Sequence, residues 1–370
     1  MTDSDVLRTS PIHERHVALK AKMADFGGWE MPIEYPGGGV VAEHTAVRER
    51  VGLFDVSHLG KARVTGAGAA ELINSTLTND LSRISPGKAQ YTLCCNESGG
   101  VVDDLIVYLR DEQDIFLMPN AANTGAVVQM LADAAPEGVE VVNQHEDFVV
   151  LAVQGPRSDE VLTALDLPVD HDYMSYDTAQ WRGHELTVCR TGYTGERGYE
   201  VVAPADAGLE LWDAIVEAMA PFDGLPCGLG ARDTLRTEMG YPLHGKDLSP
   251  EITPVMGRSA WAVGWDKETF WGKDALVAQR IAKSAPLLRG LRVTGRGIPR
   301  TGCAVRDGEG TEVGTVTSGT FSPILKQGIA LALLERSVGI DDEVVIDVRG
   351  RDVAATVVKP PFVEVQVRRA

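Results

Sequence analysis

The stretch AQYTLCCNESGGVVDDLIVYLR, residues 89–110, carries the decision about fold class. Two runs rich in β-branched and apolar residues, AQYTLCCN and VVDDLIVYLR, flank ESGG, whose turn chemistry predicts a hairpin. Upstream, LFDVSHLGKARVTG (53–66) alternates apolar and polar residues as one strand would, and AEHTAVRERVG (42–52) reads as a helix with Gly52 placed to stop it. Residues 11–26 show a moderate helical pattern. They run into FGGWEMPIEYPGGG (26–39), where glycines and prolines forbid a long element. Downstream come a strand (DIFLMPN), a helix near 122–135, strands near 139–142 and 148–153, and a helix beyond Gly155-Pro156. HELTVCRTGYTGERGYEVVAP (184–204) reads as two strands joined by a glycine-rich bend, with helices near 209–220 and in ARDTLRTEMG. After Pro286 the text becomes short β runs at close spacing, which predicts a separate β-barrel or jelly-roll module. The class is α+β.

Length and charge bound the rest. A chain of 370 residues is too long for one ordinary core, so two or three domains are expected. The 53 acidic against 35 basic residues give a net charge of −18, which argues against non-specific nucleic-acid binding. Five scattered cysteines without a C-x-x-C pair suit neither a disulfide framework nor a thiolate zinc site. No apolar run approaches ~20 residues, so no membrane span or signal segment is expected, and a reducing cytoplasm is the simplest location. A phosphate loop, a zinc-protease motif and a nucleophile elbow are all missing. GAGAAE (66–71) lacks full dinucleotide spacing and reads as a helix start.

Four places carry candidate chemistry. Asp103 and Asp104 are adjacent carboxylates in an apolar strand; alternation sends them to opposite faces, so at most one lines a given cavity, and both could simply be solvated at a strand end. In TGYTGERGYE (191–200), glycines let Tyr193, Tyr199, Glu196 and Glu200 approach one another. A carboxylate beside an aromatic ring suits a flat heterocycle with N–H donors, while a plain decorated hairpin fits equally well. In GLGARDTLRTEMGYPLHGKDL (228–248), Arg232 and Arg236 share a helix face beside Asp233; a solvated, salt-bridged helix is the commoner meaning. TSGTFSPILKQGIALA (317–332) by itself says only loop between strands. Arg368 and Arg369 end the chain as a tail or a carboxylate clamp.

In this order, FGGWEMPIEY, VGLFDVSHLG, NESGGVVDDLIVY, NAAN, TGYTGERGYE, GLGARDTLRTEMGYPLHG and TSGTFSPILKQGIALA resemble the glycine cleavage T-protein family nearly end to end. The resemblance implies a three-domain cloverleaf around a central folate channel: two α+β domains with antiparallel sheets and a C-terminal distorted β-barrel or jelly-roll. The expected division is 1–54 with about 140–230, about 55–139 with 231–285, and 286–370. It implies transfer of a methylene carbon from aminomethyl-lipoyl H-protein to tetrahydrofolate, with ammonia released and no metal. Lipoylated H-protein is the implied partner; no nucleic acid or membrane is. Asp104 matches the catalytic carboxylate and Glu200, not Glu196, the pterin-binding acid. Tyr91, Asn120, Tyr173 and Tyr193 match folate-lining positions, Arg232 an arginine at the pterin end, and Arg369 one that meets the glutamyl tail. Asp103 reads as the structural member of its pair. An iron–sulfur assembly factor of similar fold carries K-G-C-x-x-G-Q-E where this chain has TGYTGERGYE. Departures are small: Leu59 where Met is frequent, and FWGKDAL (270–276) where F-I-G-K-E-A-L is usual.

Overall fold

The structure is a computed structural model that describes residues 6–367, so the expected tail residue Arg369 and its neighbour Arg368 lie outside the described residues. The hairpin at its centre pairs Lys88–Cys95 antiparallel with Val101–Asp111, setting Leu93 opposite Asp104 and Tyr91 opposite Ile106. Asp114–Met118, Ala62–Thr65 and Glu140–Asn143 extend it into a five-stranded antiparallel sheet. Helices Ala69–Thr76 and Thr124–Ala134 cover one face, burying Leu72, Ile73, Val127 and Leu131 against Val64, Val107 and Leu117. The chain passes to the next sheet after Asn143.

That second sheet has six strands in the order Tyr176–Trp181, His184–Cys189, Gly198–Pro204, Phe148–Gln154, Gly52–Asp55 and Leu225–Cys227. Neighbours run antiparallel except the last pair. Helices Ser158–Thr163 and Gly208–Met219 bury Val161, Leu211, Trp212 and Ile215 on one face. The other face meets the five-stranded sheet: Phe54, Val150 and Val202 share a cluster with Tyr108, Phe116 and Met118. Each buried aliphatic side chain in such a cluster contributes about 1.5–3 kcal/mol.

Leu287–Val293, Gln327–Leu334, Glu312–Ser322, Ala304–Arg306, Glu343–Asp347 and Asp352–Val358 close a six-stranded barrel around Leu291, Val316, Ala332, Ile346 and Val357. Register shifts at Val305/Arg306 and Val316/Ser318 distort it, as bulges do. The helix Leu229–Met239 joins barrel to sheets through buried charges. Arg236 donates to Asp247 Oδ2 at 2.8 Å and Ser318 Oγ at 2.9 Å, and Glu238 accepts from Ser322 Oγ at 2.6 Å and Arg48 Nη2 at 2.7 Å.

Five local expectations are corrected. Residues 11–26 are a short helix, His13–Ala18, followed by a strand, Lys22–Phe26, that pairs with Trp29–Glu34. Gly27 and Gly28, at φ 61° and 85°, make the two-residue turn that favours a hairpin over a continuing helix. The alternating run 53–66 is divided between the two sheets, because Ser57 to Gly60 turn the chain. Gly52 does not stop a helix: Gly39–Glu49 ends earlier, and Gly52 opens a strand. Thr317 and Ser318 are not in a loop but in the strand Glu312–Ser322, and Arg236 is buried rather than solvated.

Candidate active site

Seven of the expected site residues, Tyr91, Asp104, Asn120, Tyr173, Tyr193, Glu200 and Arg232, line one cavity of about 730 Å³. The hairpin register explains the first two. Tyr91 and Asp104 stand diagonally across paired strands on one face, and the Tyr91 hydroxyl donates to Asp104 Oδ2 at 2.9 Å. Asp103 does not line the cavity and is fully buried. Asn120 serves both carboxylates: its Nδ2 lies 3.0 Å from Asp104 Oδ1 and 2.9 Å from Asp103 Oδ1, and its backbone N–H donates to Asp103 Oδ2 at 2.9 Å. Asn123 Nδ2 reaches Asp103 at 2.7 Å and His244 Nδ1 at 3.0 Å, while His244 Nε2 meets the Val101 carbonyl at 3.0 Å. Asp103 thus anchors the turn that carries Asn120.

Burial pushes Asp104 above the usual carboxylate range, opposed by the Tyr91 hydroxyl, His244 and Asn120. Burial and then the charge of Asp104 push Asp103 up too, against the amides of Asn123 and Asn120. Burial and the same carboxylate drive the Tyr91 hydroxyl up, so it remains a donor.

The opposite wall comes from the bend 191–200 and the helix Leu229–Met239. Glu200, 5% exposed, is held in the sheet opposite Ala152 and accepts from Thr191 Oγ1 at 2.5 Å. The Arg232 guanidinium lies 4.7 Å over the Tyr193 ring, and that ring stacks on Tyr241 at 5.7 Å. The Tyr193 hydroxyl donates to the Pro242 carbonyl. Arg232 Nη1 and His58 Nδ1 are buried with no partner. Burial and then the Arg232 charge pull His58 down to about 3, so its ring is neutral. An orphaned buried donor costs about 1–3 kcal/mol, which a hydrogen-bonding ligand recovers. Glu196 and Tyr199 belong elsewhere. Glu196 accepts from Arg48 at 2.9 Å, and the Tyr199 hydroxyl donates to the Val169 carbonyl at 2.8 Å.

Sequence reasoning missed His58, Tyr241, His244 and Trp261, all of which line the cavity. Trp261 stacks on Tyr91 at 5.3 Å with an interplanar angle of 22°, and is 66% exposed at the cavity's edge. His58, Tyr241 and His244 sit inside motifs quoted above, but only their neighbours carried a chemical signal; Trp261 sits in none. Among the described residues no group of three or more His, Cys, Asp or Glu could hold a metal ion, and no helix is long and apolar enough to cross a membrane.

A deep cavity between packed sheets, open at one edge and with an acid at each of two walls, is the build of an enzyme that takes up a small organic substrate. The chain belongs to the glycine cleavage T-protein family, whose members are aminomethyltransferases. The GCVT N-terminal domain matches residues 12–267 and the glycine cleavage T-protein C-terminal barrel domain residues 287–364. The chain is 61% identical over 362 residues to the aminomethyltransferase of Parafrankia sp. (strain EAN1pec), covering 98% of this chain and 99% of that one. It is 56% identical over 370 residues to that of Mycobacterium tuberculosis (strain CDC 1551 / Oshkosh), with full coverage of both. The crystal structure of glycine cleavage system aminomethyltransferase T from Bartonella henselae superposes with a TM-score of 0.91 at 33% identity, over 97% of this chain and 99% of that one.

Proposed function

We propose that this cavity takes tetrahydrofolate as the acceptor of a one-carbon unit brought as an aminomethyl group on the lipoyl arm of H-protein, in the cytoplasm. The methylene carbon leaves sulfur and nitrogen and bonds to N5 and N10 of the folate. The two folate N–H hydrogens end on the lipoyl thiol and on ammonia, so no oxidant is needed. The observation that carries this reading is that Asp104 and Glu200 line the same cavity as an unpartnered Arg232 donor.

Glu200 is suited to accept from the N–H edge of the pterin, and Arg232 Nη1 to donate to a ring acceptor. Tyr193, packed against Arg232 and Tyr241, contributes apolar aromatic surface to the cavity wall. Asp104, oriented by Tyr91 and Asn120, sets a negative charge where positive charge develops on the transferring carbon and nitrogen. No serine or cysteine nucleophile is required; Cys94, Cys95, Cys189 and Cys227 are buried, and burial raises all four thiols. Catalysis by orientation and fixed charge predicts a division of labour. Asp104→Ala should bind folate within about tenfold of the unchanged protein yet lose most turnover, whereas Glu200→Ala should lose folate affinity while staying folded. Ammonia release from aminomethylated H-protein, with and without tetrahydrofolate, and folate calorimetry read both. Unchanged turnover in Asp104→Ala rejects the assignment.

A further inference from the structure

Residues 241–248, the irregular segment after the helix Leu229–Met239, touch both walls of the cavity. On the Arg232 side the Pro242 carbonyl accepts from the Tyr193 hydroxyl, and the Tyr241 ring stacks on Tyr193. On the Asp104 side His244 reaches the hairpin and the turn that precedes the helix Thr124–Ala134. His244 lines the cavity, yet neither of its ring nitrogens is free for an occupant. Nε2 lies 3.0 Å from the Val101 carbonyl and Nδ1 3.0 Å from Asn123 Nδ2.

Those two contacts fix the tautomer. A carbonyl only accepts, so Nε2 carries the hydrogen and the neutral ring keeps a lone pair at Nδ1. That lone pair admits only the NH2 end of the Asn123 amide, the same end that donates to Asp103 Oδ1 at 2.7 Å. Turned over, the amide would set its oxygen against two acceptors and forfeit both bonds. Asp103 Oδ1 also accepts from Asn120 Nδ2 at 2.9 Å, and that nitrogen lies 3.0 Å from Asp104 Oδ1. The contacts therefore run in series from the Val101 carbonyl through His244, Asn123, Asp103 and Asn120 to Asp104.

We infer that His244 is a positioning residue for the transfer step: it fixes the orientation of the Asn123 amide and, through Asp103 and Asn120, the direction in which Asp104 presents its carboxylate. This rests on the reading of Asp104 and of folate given above. The hold on Tyr193 runs through the Pro242 carbonyl and does not pass through the imidazole. Loss of the His244 contacts therefore falls on turnover, while the wall formed by Tyr193, Glu200 and Arg232 keeps its grip on the folate.

Two substitutions separate the contacts. Asn places an amide oxygen where Nδ1 stands and keeps the acceptor for Asn123, whereas Gln places its amide nitrogen near Nε2 and keeps only the link to Val101. With ammonia release from aminomethylated H-protein and tetrahydrofolate as the readout, His244→Gln should lower kcat about tenfold, and calorimetric folate affinity should stay within about twofold. His244→Asn should recover most of the lost turnover. Adding His244→Gln to Asn123→Ala should cost no more than Asn123→Ala alone, because the series is already cut. Should Asn123→Ala not fold, the two His244 variants decide. Unchanged kcat in His244→Gln overturns the inference, as do equal losses in the two His244 variants or losses that add in the double variant. A fall in folate affinity with kcat kept makes His244 part of the binding wall and rejects the positioning role. Absence of folate-dependent ammonia release from the unchanged protein overturns the folate reading instead.

Discussion

Asp103 and Asp104 are chemically identical neighbours with different work to do. Both hold Asn120, but only Asp104 lines the cavity, while Asp103 is enclosed by the amides of Asn120 and Asn123. Two carboxylates this close do not ionise independently; the charge on one raises the pKa of the other. Around Asp104 the other titratable groups are the Tyr91 and Tyr193 hydroxyls and His244. Burial and the Asp104 charge push Asp103 up, whereas Asp104 is raised by burial alone, so Asp104 ionises first, beside a neutral neighbour. If turnover needs the Asp104 anion, Asp103→Asn should leave the acidic limb of kcat/KM against pH in place. A limb that moves to lower pH would show that Asp103 is charged while Asp104 titrates, a distinction that loss of activity alone could not make.

Among the elements, the bend 191–200 is constrained both by its own backbone and by the helix packed against it. Gly195 has φ of 81°, and a Cβ there would collide with Sδ and Cγ of Met239. Gly195→Ala therefore combines left-handed strain with overpacking, about 1–3 kcal/mol in all. Because Met239 also lines the cavity, its displacement should weaken folate binding at the same time. A urea midpoint and a folate titration on the variant check both halves; an unchanged midpoint would mean the bend yields freely. This bend, the hairpin at 89–110 and the helix Leu229–Met239 were legible in the sequence because each has a local pattern: alternation around a turn, clustered glycines, or apolar spacing closed by Gly240. Lys22–Phe26 was not, since KMADF has helix-forming composition and only pairing across Gly27-Gly28 makes it a strand. Arg232 and Arg236 were read as one face, yet one enters the cavity and the other turns to Asp247 and Ser318. Tyr241 reaches the cavity from an irregular segment and Trp261 from a single 3-10 turn, Ala260–Ala262, both placed by tertiary packing, which leaves no periodic mark on their neighbours.

On the scale of the whole molecule, the barrel is tied to the sheets by charges removed from water. Burial alone would raise Glu238, but His44, Arg48 and Ser322 outweigh it and hold its carboxyl below the usual range. A depressed carboxylate contributes stability above its unfolded pKa, and that contribution is lost as pH falls through the folded value. Glu238→Gln removes one of the two carboxylates paired with Arg48, a loss of about 1–3 kcal/mol near neutral pH. The variant should then weaken less than the unchanged protein when taken from about pH 6 to about pH 4, because the group that titrates is gone. Urea midpoints at the two pH values measure this. Parallel losses would place the acid sensitivity elsewhere, for example at Asp55, also held below the usual range: burial raises it, and His16, Ser10 and Ser57 outweigh that.

Of the six tryptophans, Trp29, Trp181 and Trp212 are buried, Trp265 and Trp271 are partly covered, and Trp261 alone stands mostly in water, stacked on Tyr91. The molecule therefore carries its own optical probe at the entrance to the cavity. Its indole emission will be the reddest component of the spectrum, and an occupant that shields or quenches it can be followed in real time without a label.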